Sequence, residues 1–132
     1  MRSPRPIPGD PSDAAPQPVM QPLVTSRQLD AVLRAPLALV YKHSTRCPIS
    51  SMAYREVEQL LEERPDAPVW IVDVIVQRAL SREVAERTGV DHASPQVLLL
   101  ADGEVVYDAS HFDVRAGDLA RELEAAEAEA RG

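Results

Sequence analysis

The chain has 132 residues, 45% apolar and 27% charged, enough to bury one core and build one compact domain with a tail. Its formal charge is −7 and only 4% of its residues are aromatic, a balance lacking the cationic and stacking groups of nucleic-acid binders. No apolar run reaches the ~18–20 residues of a membrane span and no signal-like segment opens the sequence, so a cytoplasmic location without membrane contact is expected.

Residues 1–22 hold seven of the 12 prolines and few sizeable apolar residues, so they are expected to form a disordered Pro-rich arm ahead of a folded domain over 23–132. Thr25 or Ser26 can cap a short helix carrying Leu29, Val32 and Leu33, which stops before Pro36. Leu37 to Tyr41 is a strand-length apolar run. Pro48 can open a second helix, in which Ile49, Ala53, Val57, Leu60 and Leu61 recur at helical spacing up to Pro65. Val69 to Val74 reads as a strand buried on both faces, with Asp73 the odd residue near its end. Ser81 is the expected cap of a third helix with Val84, Ala85 and Thr88, closed by Gly89. Strands over Gln96–Ala101 and Glu104–Tyr107 flank Asp102-Gly103, the strongest hairpin signal in the chain, and Asp113 is the expected cap of a last helix. The order α-β-α-β-α-β-β-α predicts an α/β fold with a mixed four-stranded sheet between helices, the thioredoxin-like arrangement.

The chemistry concentrates in Lys42-His43-Ser44-Thr45-Arg46-Cys47-Pro48-Ile49-Ser50. Cys47 is the only cysteine, so redox chemistry here must pass through an intermolecular disulfide. With Pro48 at the first helical position, Cys47 becomes the N-cap, its sulfur facing unpaired N–H groups and the positive end of the helix dipole. Both favour thiolate, the nucleophilic form, and the adjacent Arg46 cation adds to the effect. Ser50 makes the motif C-x-x-S; it can donate its hydroxyl to the sulfur but cannot resolve a disulfide. The competing reading is a buried, inert cysteine. Ser94-Pro95 precedes a strand at the place where a thioredoxin-like fold keeps a cis-proline against its cysteine, although an ordinary loop proline would read the same.

KHSTRCPIS, DHASPQVLLL and DASH together resemble the bacillithiol-system monothiol redox proteins of the YtxJ type, the monothiol bacilliredoxins, from about Leu23 to the last helix. Arg46 stands where a second Thr is usual in that family. The resemblance implies that Cys47 strips bacillithiol from S-bacillithiolated client proteins. Bacillithiol then acts as cosubstrate with no bound cofactor, and free bacillithiol or a dithiol reductase regenerates Cys47. Thr45, Arg46, Pro48 and the Ser94 backbone are the candidate ligand contacts, Cys47, Ser50 and Pro95 the candidate catalytic set, and His43 the histidine best placed to tune Cys47.

His43, His92 and His111 all fall on segments that such a fold brings to one end, with a structural role expected for His92. Their spacings fit no compact zinc motif, so no metal is expected. Two other functions compete: a binding or adaptor module using the Pro-rich arm, and an iron–sulfur carrier. Pro48-Ile49, where carriers of the monothiol glutaredoxin kind have Gly-Phe, argues against the latter.

Overall fold

A computed structural model describes residues 19–131 of the chain. Most of the arm expected over 1–22 therefore lies outside the described residues. Its last four residues do not, and two of them, Gln21–Pro22, form β1, a parallel partner of the edge of β3 (Val69–Asp73). The sheet thus has five strands rather than four, in the order β1-β3-β2-β4-β5. Two residues show no alternation, and Pro22 donates nothing to a ladder, so this strand is invisible in the sequence and tolerated only at an edge.

Helix α1 (Ser26–Arg34) is capped by Thr25, which accepts from the Gln28 N–H while the Gln28 side chain returns to the Thr25 N–H. Strand β2 (Leu37–His43) runs two residues beyond the apolar run, pairing parallel with β3 and antiparallel with β4 (Gln96–Ala101). Helix α2 (Pro48–Glu63) is the crossover between the parallel strands β2 and β3. The β4–β5 hairpin (β5, Glu104–Ser110) turns through Asp102 and Gly103, both at positive φ (52° and 83°), which suits a two-residue turn between twisted strands. A Cβ on Gly103 would lie 2.6 Å from the Leu33 carbonyl oxygen, so the turn also needs the missing side chain.

Two helix starts differ from expectation. Helix α3 (Arg78–Thr88) begins three residues before Ser81, with Gln77 as N-cap and Gly89 in the left-handed conformation at its end. Ser81 is buried inside the helix, where its hydroxyl meets a histidine instead of capping backbone. Asp113 belongs to a 3-10 turn over His111–Asp113, and α4 (Ala116–Arg131) starts later. The Ala116 N–H is satisfied at 2.8 Å by Glu56 of α2, a tertiary cap that replaces the local one.

The sheet separates two cores, because residues along β2 alternate in face. Leu39 and Tyr41 pack with Val57 and Leu60 of α2 and Leu119 and Leu123 of α4. Ala38 and Val40 pack with Leu29 and Val32 of α1 and Leu80 and Val84 of α3. At the end of β2 this alternation sends Tyr41 toward α2 and its neighbour Lys42 toward α3.

Candidate functional site

Strand β2 ends at His43, whose carbonyl accepts the Val74 N–H at 2.9 Å, and the chain turns through Ser44–Arg46 into α2. The turn is held from within. Ser50 Oγ accepts the Ser44 N–H at 3.2 Å, Ser44 Oγ accepts the Arg46 N–H, and the Cys47 N–H donates to the Ser44 carbonyl. Cys47 is the N-cap of α2 with extended backbone (φ −109°, ψ 119°), and Pro48 occupies the first turn, where its missing N–H costs nothing. Cys47 is partly exposed, and its side chain makes no capping hydrogen bond. A residue there lies at the positive end of the helix dipole.

Ser50 is fully buried, and its hydroxyl oxygen serves the Ser44 N–H. It braces the loop that presents Cys47. Thr45 and Arg46 are exposed beside the sulfur-bearing residue, and Arg46 forms no salt bridge with any described residue. The Ser94–Pro95 bond is cis, and Pro95 is buried. Gln96 pairs with Lys42, so Pro95 stands at the level of His43 where the loop to Cys47 departs. The Pro95 carbonyl accepts the His111 N–H at 2.9 Å, joining the end of β5 to the same corner.

The histidines reach this end of the sheet but do not converge. His43 lies on the α2 side, stacked obliquely between Tyr41 and Tyr54 with ring centroids 5.4 and 5.2 Å away. Its Nδ1 is 2.7 Å from the Tyr41 hydroxyl, which donates at 3.0 Å to the Ser50 carbonyl in the first turn of α2. His43 is therefore tied to the Cys47 helix through Tyr41. Burial pushes the His43 ring below its ordinary range, with Asp73 partly opposing, so the ring is neutral near pH 7. Burial, with Tyr54 and Cys47 adding to it, pushes the Tyr41 phenol far up and keeps it a proton donor. His92 lies across the sheet, on the α3 side, with Nδ1 3.1 Å from Lys42 Nζ. Among the described residues no group of three His, Cys, Asp or Glu side chains is arranged for a metal ion. Asp73 sits at the end of β3, as its place in the sequence suggests, with Oδ1 accepting the Ile75 and Val76 N–H groups.

Sequence reasoning gave no role to Tyr41, hidden in an apolar strand, or to Lys42, the first residue of the segment where the chemistry concentrates. Lys42 did leave a signal, being a cation at an inward position of β2.

A family model described as monothiol bacilliredoxin BrxC matches residues 21–119. A solved structure of a candidate oxidoreductase with a thioredoxin fold is 34% identical, covers 79% of this chain and 93% of its own, and superposes with a TM-score of 0.74. A mutant thioredoxin from Halobacterium salinarum is 26% identical over 85% of this chain and 94% of its own, with a TM-score of 0.66. Thioredoxin from Trypanosoma brucei brucei, at 14% identity, shares the fold alone, with a TM-score of 0.68 over 86% of this chain and 94% of its own. The architecture is thioredoxin-like, and no described helix is long and apolar enough to cross a membrane.

Proposed function

The chain belongs to the monothiol bacilliredoxin family and has a thiol redox role, and from that premise we propose that it reduces S-bacillithiolated proteins through Cys47. The observation that carries this reading is the placement of the chain's one cysteine, partly exposed at the N-terminus of α2. The Cys47 thiolate attacks the bacillithiol sulfur of the mixed disulfide. The client sulfur leaves as thiolate and takes a proton, and Cys47 is left disulfide-bonded to bacillithiol. Ser50 cannot displace that bond, so a second external thiol, free bacillithiol or a dithiol reductase, attacks next and restores the Cys47 thiolate. The client is thereby reduced by two electrons and the external thiol is oxidised.

Pro48 sets the first turn of α2, and Ser50 holds the 44–46 loop. Thr45, Arg46 and the Ser94 backbone beside Pro95 are the proposed contacts for the anionic cosubstrate, which suits N–H groups and a cation. His43 acts on Cys47 indirectly, through Tyr41. A reducing cytoplasm is the proposed setting, since it keeps a lone thiol reduced.

The test is intact mass after incubation with a bacillithiolated client. Wild type is expected to gain the mass of one bacillithiol and Cys47→Ala none. An unshifted wild-type mass, with the client still modified, would overturn the reading and favour a binding module.

A further inference from the structure

Lys42 is a charged group that the exchange mechanism leaves unused. It is the only lysine of the chain and fully buried. Its ammonium lies 3.1 Å from Nδ1 of His92, and Ser81 Oγ of α3 lies 3.3 Å from the same nitrogen. No carboxylate among the described residues forms an ion pair with it. A buried ammonium facing only neutral partners is poorly compensated for its lost hydration.

Two more polar atoms at this end of β4 have no partner among the described residues, Ser94 Oγ and Gln96 Oε1. Gln96 is paired directly with Lys42, and strand alternation sends both side chains to the α3 side of the sheet. Its Nε2 donates to the Asp91 carbonyl at 3.0 Å, which settles which end of the amide carries the orphaned oxygen. Buried polar atoms are rarely left unpaired, and a cation, a hydroxyl and an amide oxygen on neighbouring residues at one end of the sheet suit a polar ligand. The corner lies at the end of the sheet that carries Cys47: Lys42 is five residues before it, and Ser94 precedes Pro95.

We infer that Lys42, Ser94 and Gln96 form a binding corner for a carboxylate-bearing group of the low-molecular-weight thiol, covered in the free protein by the His92 imidazole. A carboxylate accepts from the Lys42 ammonium and the Ser94 hydroxyl, and a neighbouring ligand hydroxyl donates to Gln96 Oε1. The malate portion of bacillithiol offers the carboxylate and its sugar portion the hydroxyl, so the inference rests on the proposed cosubstrate. His92 is exposed and sits in a segment with neither helix nor strand, so its ring can leave Lys42 without unravelling an element.

The experiment is steady-state kinetics of the full chain on one client protein carrying either bacillithiol or uncharged 2-mercaptoethanol in mixed disulfide. Lys42→Met is expected to raise KM for the bacillithiolated client by roughly tenfold or more, with a much smaller change in kcat. The same variant should change KM for the mercaptoethanol disulfide by less than about twofold, because no carboxylate is present to recognise. In a parallel NMR titration, L-malate should shift the His92 ring signals of wild type and leave those of Lys42→Met in place. Equal losses on both disulfides, an unchanged KM on the bacillithiolated one, or identical malate responses would overturn the inference. If wild type turns over only the mercaptoethanol disulfide, the proposed function fails, while the malate titration still decides whether the corner binds a carboxylate.

Discussion

The Tyr41 phenol oxygen lies 2.7 Å from Nδ1 of His43 while it donates at 3.0 Å to the Ser50 carbonyl, so one buried hydroxyl joins the end of β2 to the first turn of α2. With its proton on that carbonyl, the hydroxyl can only accept from His43, which places a proton on Nδ1 and leaves Nε2 as an acceptor. Tyr41→Phe keeps the ring packed against His43 and Tyr54 but removes both hydrogen bonds. A loss of roughly 1–2 kcal/mol is expected in urea unfolding, because the His43 N–H is left without its buried acceptor. Unchanged stability would contradict this pairing.

Acid should weaken the fold through the histidines. Burial lowers the folded-state value of His43, with Asp73 opposing, and burial together with Lys42 lowers that of His92. For a base whose folded value is depressed, the unfolded chain binds more protons in the window between the two values. Stability is therefore present above the ordinary histidine value and is lost as pH falls below it, down to the depressed folded value. Urea midpoints at pH 7.5 and 5.5 (settings about one unit either side of the usual ~6.5) should differ more for wild type than for His43→Gln. Equal differences would remove His43 from the account.

Lys42 should oppose stability at neutral pH. Burial pushes its ammonium down to about 8 from an ordinary 10.5. Below about 8 the cation is present in both folded and unfolded chains and the burial cost is carried in full; between about 8 and 10.5 the folded chain sheds its proton first and stability rises with pH. Lys42→Met is expected to stabilise the protein at pH 7 by an amount on the order of 3 kcal/mol at most, with the advantage shrinking through that alkaline window. A destabilised variant at pH 7 would contradict it. A more stable variant that also binds its substrate less well separates recognition from folding.

Glu56 should matter for a helix to which it does not belong. Its carboxylate accepts the Ala116 N–H at 2.8 Å, at the positive end of α4. Glu56→Ala is expected to cost about 1 kcal/mol, with Glu56→Gln retaining part of it, since the amide oxygen still accepts but carries no charge. Thermal unfolding of the pair checks the order of the two variants.

What was legible in the sequence was what is decided locally. Pro48 after Cys47 marks a helix start because only an N-terminal position tolerates its ring, and Asp102-Gly103 marks a turn because both residues accept positive φ. Gly89 ends α3 for the same reason. The failures are tertiary. The start of α4 is set by Glu56, sixty residues away, so Asp113 misleads. Ser81 resembles a cap because serine favours caps, yet its hydroxyl is claimed by His92. β1 exists only because β3 offers an edge to Gln21 and Pro22. At the site, Cys47 stood out as the lone thiol. The Tyr41 link was hidden because a tyrosine in an apolar strand reads as core until its hydroxyl has a partner.

Single-turnover transfer in the absence of any other thiol tests the central claim most directly. Mixed with excess bacillithiolated client, wild type is expected to release client thiol in an amount equal to its own concentration and then stop, resuming only when free bacillithiol is added; Cys47→Ala should release none. Release by Cys47→Ala, or none by wild type, would contradict exchange at Cys47.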